Sequence, residues 1–378
     1  MRVLVYTAWA PPARAGGGLS AFRFARYLAR TGHEVTQLTL NQDLQFPKEE
    51  WLDGVHIVRA PYLRDSRLAK AFSLALVLPD CVDQLRRADV VILYGPVPAY
   101  SAMILLGRAT GRRVIYRSTM MRDNDPDTLI RRDIAPRLRK AILGRVHTYY
   151  AMHPEFTASW KRAFGDTRQV VQTAQGVDTS IFKPATDRDA LRDRLGLDRD
   201  ATLILAIGWV IPRKGYDGLF EAAGELEEDF QLLVIGEYEP NPNHPSWNER
   251  HEMNALTAKG RRLLGDRLTF TGSLDNVDAY LAAADIFVLN SSQEGLPNVV
   301  LEAMSSGLAT LTKRLEGVDG YLTIDGETAI VFDTTDELQQ ALSRMLRHPE
   351  ERRALGDRAA TFIRDTFSYE AVAARLFG

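Results

Sequence analysis

Two doubly wound α/β domains are what this sequence predicts, and three observations predict them. The chain has 378 residues, more than one ordinary core holds, and two domains of roughly 150 to 200 residues are the expectation for that length. Short apolar runs alternate with amphipathic stretches, as in βα units around a parallel sheet. The series stops at a polar break and then restarts, which makes two such sheets.

The first series of strands is expected at residues 2–7, 33–40, 55–60, 89–94, 113–117, 148–152 and 170–173. The second is expected at 203–207, 231–235, 268–271, 286–290, 309–311 and 329–332. These runs are rich in β-branched residues and mostly lack polar alternation, which is how strands buried on both faces read. Helices lie between them. Leu19, Phe22, Ala25 and Leu28 share one helical face, and Gly32 follows as a stop signal. Residues 175–190, QGVDTSIFKPATDRDA, carry Gly176, Pro184 and several charges and separate the two series. The boundary is therefore set between 178 and 179. From Arg352 the tail reads as helix, with Leu355, Ala359, Phe362 and Ile363 on it.

Composition narrows the function classes. Hydrophobic residues make up 45% and charged residues 25%, ordinary for a globular enzyme. A single cysteine, Cys81, excludes an internal disulfide and argues against a cysteine metal site; its apolar surroundings put it in the core. No run approaches the ~18 apolar residues that a spanning helix needs. The opening MRVLVYTAWAPP is cut by Pro11 and Pro12 and reads as a first buried strand rather than a signal peptide, which points to the cytoplasm.

Charge is unevenly placed. Residues 1–180 hold 26 Lys+Arg and 16 Asp+Glu, a balance of +10, and the remainder holds 21 and 33, a balance of −12. Either the first half meets an acidic partner or the surface has drifted without selection. Arg131, Arg132, Arg137, Arg139, Lys140 and Arg145 cluster on an expected helix with Ile134, Leu138, Ile142 and Leu143. That basic amphipathic pattern suits peripheral contact with an anionic membrane, and a domain helix with its apolar side in the core has the same pattern. The pI of about 6.4 and the lack of a nucleic-acid-binding motif set nucleic acid aside.

Three stretches carry candidate chemistry. Gly16-Gly17-Gly18 follows the first strand, where glycines let backbone approach a ligand and helix-start amides attract anions. A tight turn without a ligand explains it equally well. GWVIPRKGYDG follows the strand at 203–207, so Arg213 and Lys214 sit at a strand's C-terminal end, where open α/β sheets bind ligands. Two cations there suit a diphosphate, although a solvated pair of loop charges reads the same. NSSQEGLPNVVLEAMSSGLA follows the strand at 286–290 and is the most specific of the three. Glu294 lies on the loop, Pro297 is placed as a first helical residue, and Glu302 falls in the helix's first turns. Amides near Leu296, Pro297, Asn298 and Val299 would point at a diphosphate, while carboxylates accept hydrogen bonds from sugar hydroxyls. Glu302 alone is also explained as a partner of the helix dipole.

Glu294-x7-Glu302 within EGLPNVVLEAMSSGLA resembles the signature of retaining GT-B glycosyltransferases, especially the large family 4. GGGLSAFRFARYLARTGHEV, QGVDTSIFKP, GWVIPRKG, LTFTGSLDNVDAYLAAADIFVLNS and DGETAIVF match the family in the right order and together span most of the chain. The resemblance implies a GT-B fold: two Rossmann-like domains facing a cleft, an acceptor-side domain over 1–178 and a nucleotide-sugar domain over 179–360. A C-terminal helix over 361–378 would cross back to the first domain.

It implies further that Lys214 and Arg213 neutralise the donor diphosphate, that Glu294 orients the donor sugar and that Glu302 holds the ribose. Gly17 and Gly18 would approach the phosphates or sugar, and Gly272 and Ser273 would lie near the base. No metal and no cofactor are implied; the nucleotide-diphosphate sugar is a co-substrate, and the acceptor is a glycan, a lipid-linked glycan or a small molecule. Two departures stand out. Trp209 occupies a position where the family often has Arg, and VIYRSTMMRDNDPDTL lacks the family's frequent histidine. Arg117, Thr119, Asp123 and Asp125 are left as candidate acceptor-side groups, and His33 and His147 are read as structural. Three alternatives share the architecture: a nucleotide-sugar epimerase, a phosphorylase, and an inactive nucleotide-sugar-binding subunit.

Overall fold

A computed structural model describes residues 1–12, 16–42, 46–63, 67–239 and 250–378. The chain divides into two compact units: Met1–Asp178 together with Val372–Gly378, and Thr179–Ala371. The tail that joins the first unit is thus shorter than the sequence suggests, and residues 361–371 stay with the second.

In the first unit β1 (Arg2–Tyr6) leads to α1 (Gly16–Arg30), β2 (Glu34–Gln42), β3 (Glu49–Leu52) and β4 (Val55–Tyr62). There follow α2 (Arg67–Arg87), β5 (Val90–Tyr94), α3 (Tyr100–Ala109), β6 (Arg113–Arg117), α4 (Pro126–Arg132) and α5 (Pro136–Leu143). The unit continues with β7 (Thr148–Ala151), α6 (Pro154–Phe164) and β8 (Val170–Gln172). Its sheet has the order β3-β4-β2-β1-β5-β6-β7-β8. Only β3 runs antiparallel, against β4, and the turn between them has Asp53 at φ 49° and Gly54 at φ 81°. The sequence reading missed this strand because EEWL is short and charged; the Asp-Gly pair before an apolar run was the available hairpin signal.

The second unit holds α7 (Arg188–Leu195), β9 (Leu203–Ile207), α8 (Tyr216–Gly224), β10 (Gln231–Ile235), α9 (Arg250–Leu264) and β11 (Leu268–Gly272). It goes on with α10 (Val277–Ala283), β12 (Ile286–Leu289), α11 (Asn298–Ser305), β13 (Ala309–Lys313) and β14 (Ile330–Phe332). The last elements are α12 (Thr335–Arg347), α13 (Pro349–Phe367) and α14 (Tyr369–Phe377). The sheet order is β11-β10-β9-β12-β13-β14, with every pairing parallel. Ile204, Leu232, Val234, Ile286, Val288 and Leu311 face a cluster with Phe220, Phe230 and Leu342. Burial of each such side chain contributes roughly 1.5–3 kcal/mol.

The expected basic helix over 131–145 is two short helices. Pro136 opens α5, and the preceding residue is pushed out of helical conformation. Ile142 and Leu143 are buried, as a core-facing side requires, but Ile134 and Leu138 are exposed. His33 and His147 each contact backbone nitrogen beside a strand, at the chain's N-terminus and at Val114 respectively. Cys81 is buried, and burial pushes its thiol up to about 12.

At the N-terminal ends of β9 and β12 one carboxylate gathers three cations. Asp285 meets Arg192 at 2.8 Å, Arg188 at 2.5 Å and Arg352 at 3.7 Å, and it accepts from Leu203 N at 2.8 Å. Arg192 and Asp285 are 1% and 5% exposed, so removing the carboxylate would leave a buried guanidinium bonded to backbone oxygens but without its counter-charge. Asp285→Asn is expected to cost about 3–5 kcal/mol, read as a shift of the urea-unfolding curve. A loss under about 1 kcal/mol would show that the arginines find other partners.

Candidate functional site

In the second unit strand order reverses beside β9: β10 and β11 lie to one side of it and β12 to the other. Ligands of open α/β sheets bind at such a switch point, outside the carboxyl ends of the strands. The loops after β9 and β12 are the ones that carry Arg213, Lys214 and Glu294.

These loops are stitched together. Asn290 Nδ2 donates to Gly215 O at 2.7 Å, Ser292 N donates to Arg213 O at 2.9 Å, and Arg213 Nη1 donates to Gln293 O at 2.9 Å. Gly215 has φ 68°, and a Cβ there would lie 2.1 Å from Asn290 O, so only glycine lets the loops close. Pro212–Lys214 form one 3-10 turn that presents both cations. Lys214 Nζ lies 2.6 Å from Glu294 Oε1, and Arg213 Nη1 lies 3.6 Å from it. The lysine and glutamate side chains are 16% and 13% exposed. Tyr216, buried at the start of α8, donates its hydroxyl to Gly208 O at 2.8 Å. Burial, then the charge of Glu294, push its phenol well above the usual range.

Pro297 caps α11, so the helix begins one residue later than expected and the first-turn amides of Asn298 and Val299 follow Leu296 and Pro297 directly. A helix start of this kind is favourable to anions. Glu302 lies inside α11 and is 5% exposed. Beside this edge, three strands end in glycine. Gly236 N donates to Gly272 O at 2.9 Å, and a Cβ on Gly236 would lie 2.2 Å from Gly208 O. The backbones of Gly208 and Gly236 touch, the side chain of Lys214 lies against Gly208, and exposed Ser273 follows Gly272. The repeated endings LAIG, LVIG and TFTG were a legible signal for Gly236, which the sequence reading passed over along with Asn290 and Tyr216.

Trp209 packs against the core of the second unit rather than standing where a cation would. Among the described residues no group of three or more His, Cys, Asp or Glu is arranged to hold a metal ion.

In the first unit Gly17 and Gly18 belong to the first turn of α1. A Cβ on Gly17 would meet nothing within 4 Å, whereas one on Gly18 would lie 2.4 Å from Trp9 O, so packing alone accounts for Gly18. Arg117 ends β6 and is 2% exposed. Its guanidinium donates to Gln175 Oε1 at 2.7 Å and lies over the rings of Tyr94 and Tyr150 at 4.6 and 5.1 Å. Thr119 is tied to Asn124, and Asp123 is exposed. Asp125 is 1% exposed and caps α4. Burial opposes its charge, but hydrogen bonds from Ser159, Thr128 and Arg122 hold its carboxyl below the usual range. Its carboxylate is thus consumed by the fold, while Arg117 and Asp123 share an edge without touching.

Residues 14–204, just over half of the chain, match the glycosyltransferase family 4 profile. The chain belongs to glycosyltransferase family 4. Residues 187–362 match the profile of glycosyl transferases group 1. It is 33% identical over 176 residues to the lipopolysaccharide core biosynthesis glycosyltransferase LpsD of Rhizobium meliloti, covering 46% of this chain and 47% of that one. The chain thus spans about half the length of that curated relative. It is 25% identical to the GDP-mannose-dependent alpha-(1-6)-phosphatidylinositol monomannoside mannosyltransferase of Mycolicibacterium smegmatis, over 97% of this chain and 94% of that one. Sucrose-phosphate synthase from Thermosynechococcus elongatus has the same fold, with a TM-score of 0.76 at 20% identity, over 99% of this chain and 97% of that one. The fold is GT-B.

His153, after β7, escaped the sequence reading. It is 2% exposed, its Nδ1 has no hydrogen-bond partner among the described residues, and burial pushes its pKa down to about 4. An unfolded histidine titrates near 6.5, so as pH falls the unfolded chain takes the proton first. The stability tied to a neutral His153 is full above about pH 6.5 and lost as pH drops toward about 4, by up to about 3 kcal/mol. Urea unfolding of the wild type and of His153→Gln at pH 7.5 and 4.5 should show the smaller acid loss in the variant. Equal losses would remove His153 as the cause.

Proposed function

We propose that this chain is a retaining, metal-independent glycosyltransferase that moves a sugar from a nucleoside-diphosphate sugar to a glycan, a lipid-linked glycan or a small molecule. The observation that carries this reading is the meeting of Lys214, Arg213 and Glu294 at the switch point, beside the start of α11. Cations and helix amides suit the leaving diphosphate, and a carboxylate suits sugar hydroxyls. In the reaction the bond from C1 to the β-phosphate oxygen breaks on the face where the acceptor oxygen bonds C1. The acceptor hydroxyl proton passes to the leaving diphosphate. The protein then mainly positions groups and stabilises phosphate charge. Glu302 takes the ribose, Gly272 and Ser273 border the base, and Gly17 meets the donor's phosphates or sugar. Arg117 and Asp123 remain the acceptor-side groups, and no cofactor is required.

The relatives named for lipopolysaccharide core and phosphatidylinositol mannoside support a lipid-linked acceptor. Among the described residues no helix is long and apolar enough to cross a membrane. We therefore infer an enzyme of the cytoplasmic side that reaches such an acceptor by peripheral contact through its basic first half. An inactive nucleotide-sugar-binding subunit is the second reading, favoured by Trp209, and it predicts donor binding without turnover on any acceptor.

The ion pair sets the mutational signature. Glu294 already neutralises Lys214, so a diphosphate must share that cation with it. Lys214→Ala should weaken binding of nucleoside diphosphate about ten- to a hundred-fold, the worth of one charge-assisted hydrogen bond, and should lower turnover too. Glu294→Gln should cut turnover strongly yet bind nucleoside diphosphate at least as tightly as the wild type, because the lysine is released. Isothermal titration of both variants separates the roles. Loss of nucleotide binding in Glu294→Gln with retention in Lys214→Ala would reverse the assignment. Product of inverted anomeric configuration would overturn the retaining reading.

A further inference from the structure

The corner between α4 and α5 is built unlike a core-facing helix pair. Ile134 is fully exposed, and Leu138, one turn on, is 61% exposed. Residues 126–145 carry six Lys+Arg and two Asp, a balance of +4. Both carboxylates are engaged locally: Asp127 pairs with Arg131 and Arg162, and Asp133 pairs with Arg139. Arg139 is the cation that turns inward. It donates to Ser101 and lies 5.1 Å over the ring of Tyr100, which fastens α5 to α3. Arg132, Arg137, Lys140 and Arg145 on the same corner are exposed, Lys140 with its ammonium 5.8 Å over the ring of Phe164.

We propose that this corner docks the first unit on an anionic lipid surface, with Ile134 and Leu138 entering the headgroup boundary and the four cations meeting lipid phosphates. The proposal names the partner for the lipid-linked acceptor reading above and rests on that reading only for why the enzyme goes there. Charge complementarity selects the occupant. A second copy of this chain would set one +4 surface against another in an isologous contact, which like charges oppose. A nucleic acid would use the cations but gives protruding aliphatic side chains nothing to enter, and no aromatic residue lies within 126–145 for bases to stack on. Protruding aliphatic side chains on a corner rich in arginine and lysine match an anionic bilayer surface, where apolar insertion and charge add.

The test is co-sedimentation of the full chain with vesicles of phosphatidylcholine alone or with about a third phosphatidylglycerol, at low and high salt. Binding is expected only with the anionic vesicles and should fall as salt rises. Arg132→Ala with Arg137→Ala should lower the partition coefficient roughly ten- to thirty-fold, and Ile134→Ser with Leu138→Ser should lower it by a similar factor without changing its salt dependence. All four positions are exposed, and unchanged nucleoside-diphosphate binding in each variant checks that the site is intact. Equal binding to neutral vesicles, no binding to either, or variants that bind like the wild type would overturn the proposal. So would a concentration-dependent dimer by light scattering that the serine pair abolishes. Transfer to soluble acceptors without vesicle binding sinks the docking and spares the transferase reading, and vesicle binding without transfer to any acceptor does the reverse.

Discussion

The pairing of β9 with β12 is the contact on which the site depends. The two strands lie side by side although β10 and β11 come between them in sequence, and Ile204 and Leu205 face Ile286 and Phe287 in register. Asp285 fastens the N-terminal ends, through Leu203 N and the arginines around it. Asn290 fastens the C-terminal ends, through Gly215 O. With both ends held, the loops that leave the strands emerge together, and groups 80 residues apart in sequence become neighbours. The first unit repeats the arrangement, with β1 between β2 and β5 and α1 rising from its carboxyl end. Gly17 and Gly18 in the first unit, and Arg213, Lys214 and Glu294 in the second, lie at the reversal of strand order, where two loops diverge and leave room between them.

Much of this was legible because a strand buried on both faces needs a nearly uninterrupted apolar run, and such runs cannot be mistaken for surface. The strands at Arg113–Arg117, Leu203–Ile207 and Gln231–Ile235 fall where the sequence puts them. β3 escaped because an edge strand answers to one neighbour and tolerates Glu49 and Glu50. The single helix read over 131–145 failed because cation spacing was followed across Pro136, whose ring disfavours the helical conformation of the residue before it. Site residues with distinctive side chains or spacing were visible, as with Lys214 and Glu294. Asn290 and Tyr216 were not. Asn290 bonds a backbone oxygen in another loop that only the sheet brings near, and Tyr216 bonds Gly208 O at the far end of its own loop; nothing in local sequence announces either bond.

The ion pair changes what a static list of charges suggests. Read separately, Lys214 attracts phosphate and Glu294 repels it. Held 2.6 Å apart and largely out of water, they form a nearly neutral pair whose desolvation has already been met by folding. On the proposed function a diphosphate would enter a site whose cation is aligned but engaged, at a cost in ground-state affinity. In the proposed transfer, charge would build on the leaving phosphate as the glycosidic bond breaks and its claim on Lys214 would strengthen, while a carboxylate beside the ring would gain from positive charge developing at C1. Both changes favour the transition state over the bound donor, which is the direction catalysis requires.

Trp209 fits the same logic. Packed against the core, it fills the position where a related chain would offer a second cation directly after the glycine. The chain then advances through Val210 and Ile211, both buried, into the 3-10 turn, and the cation arrives four residues later as Arg213. Arg213 reaches Gln293 O and comes within 3.6 Å of Glu294, while its backbone oxygen accepts from Ser292. Its side chain stays 38% exposed, against 16% for Lys214. In the proposed site a guanidinium less deeply held, with one donor committed to a backbone oxygen, would follow a moving phosphate where the buried lysine would not. Under the proposed function Arg213 would supply the second charge farther along the loop than Trp209, and the division between a fixed cation and an adjustable one would follow from where each sits on a single turn.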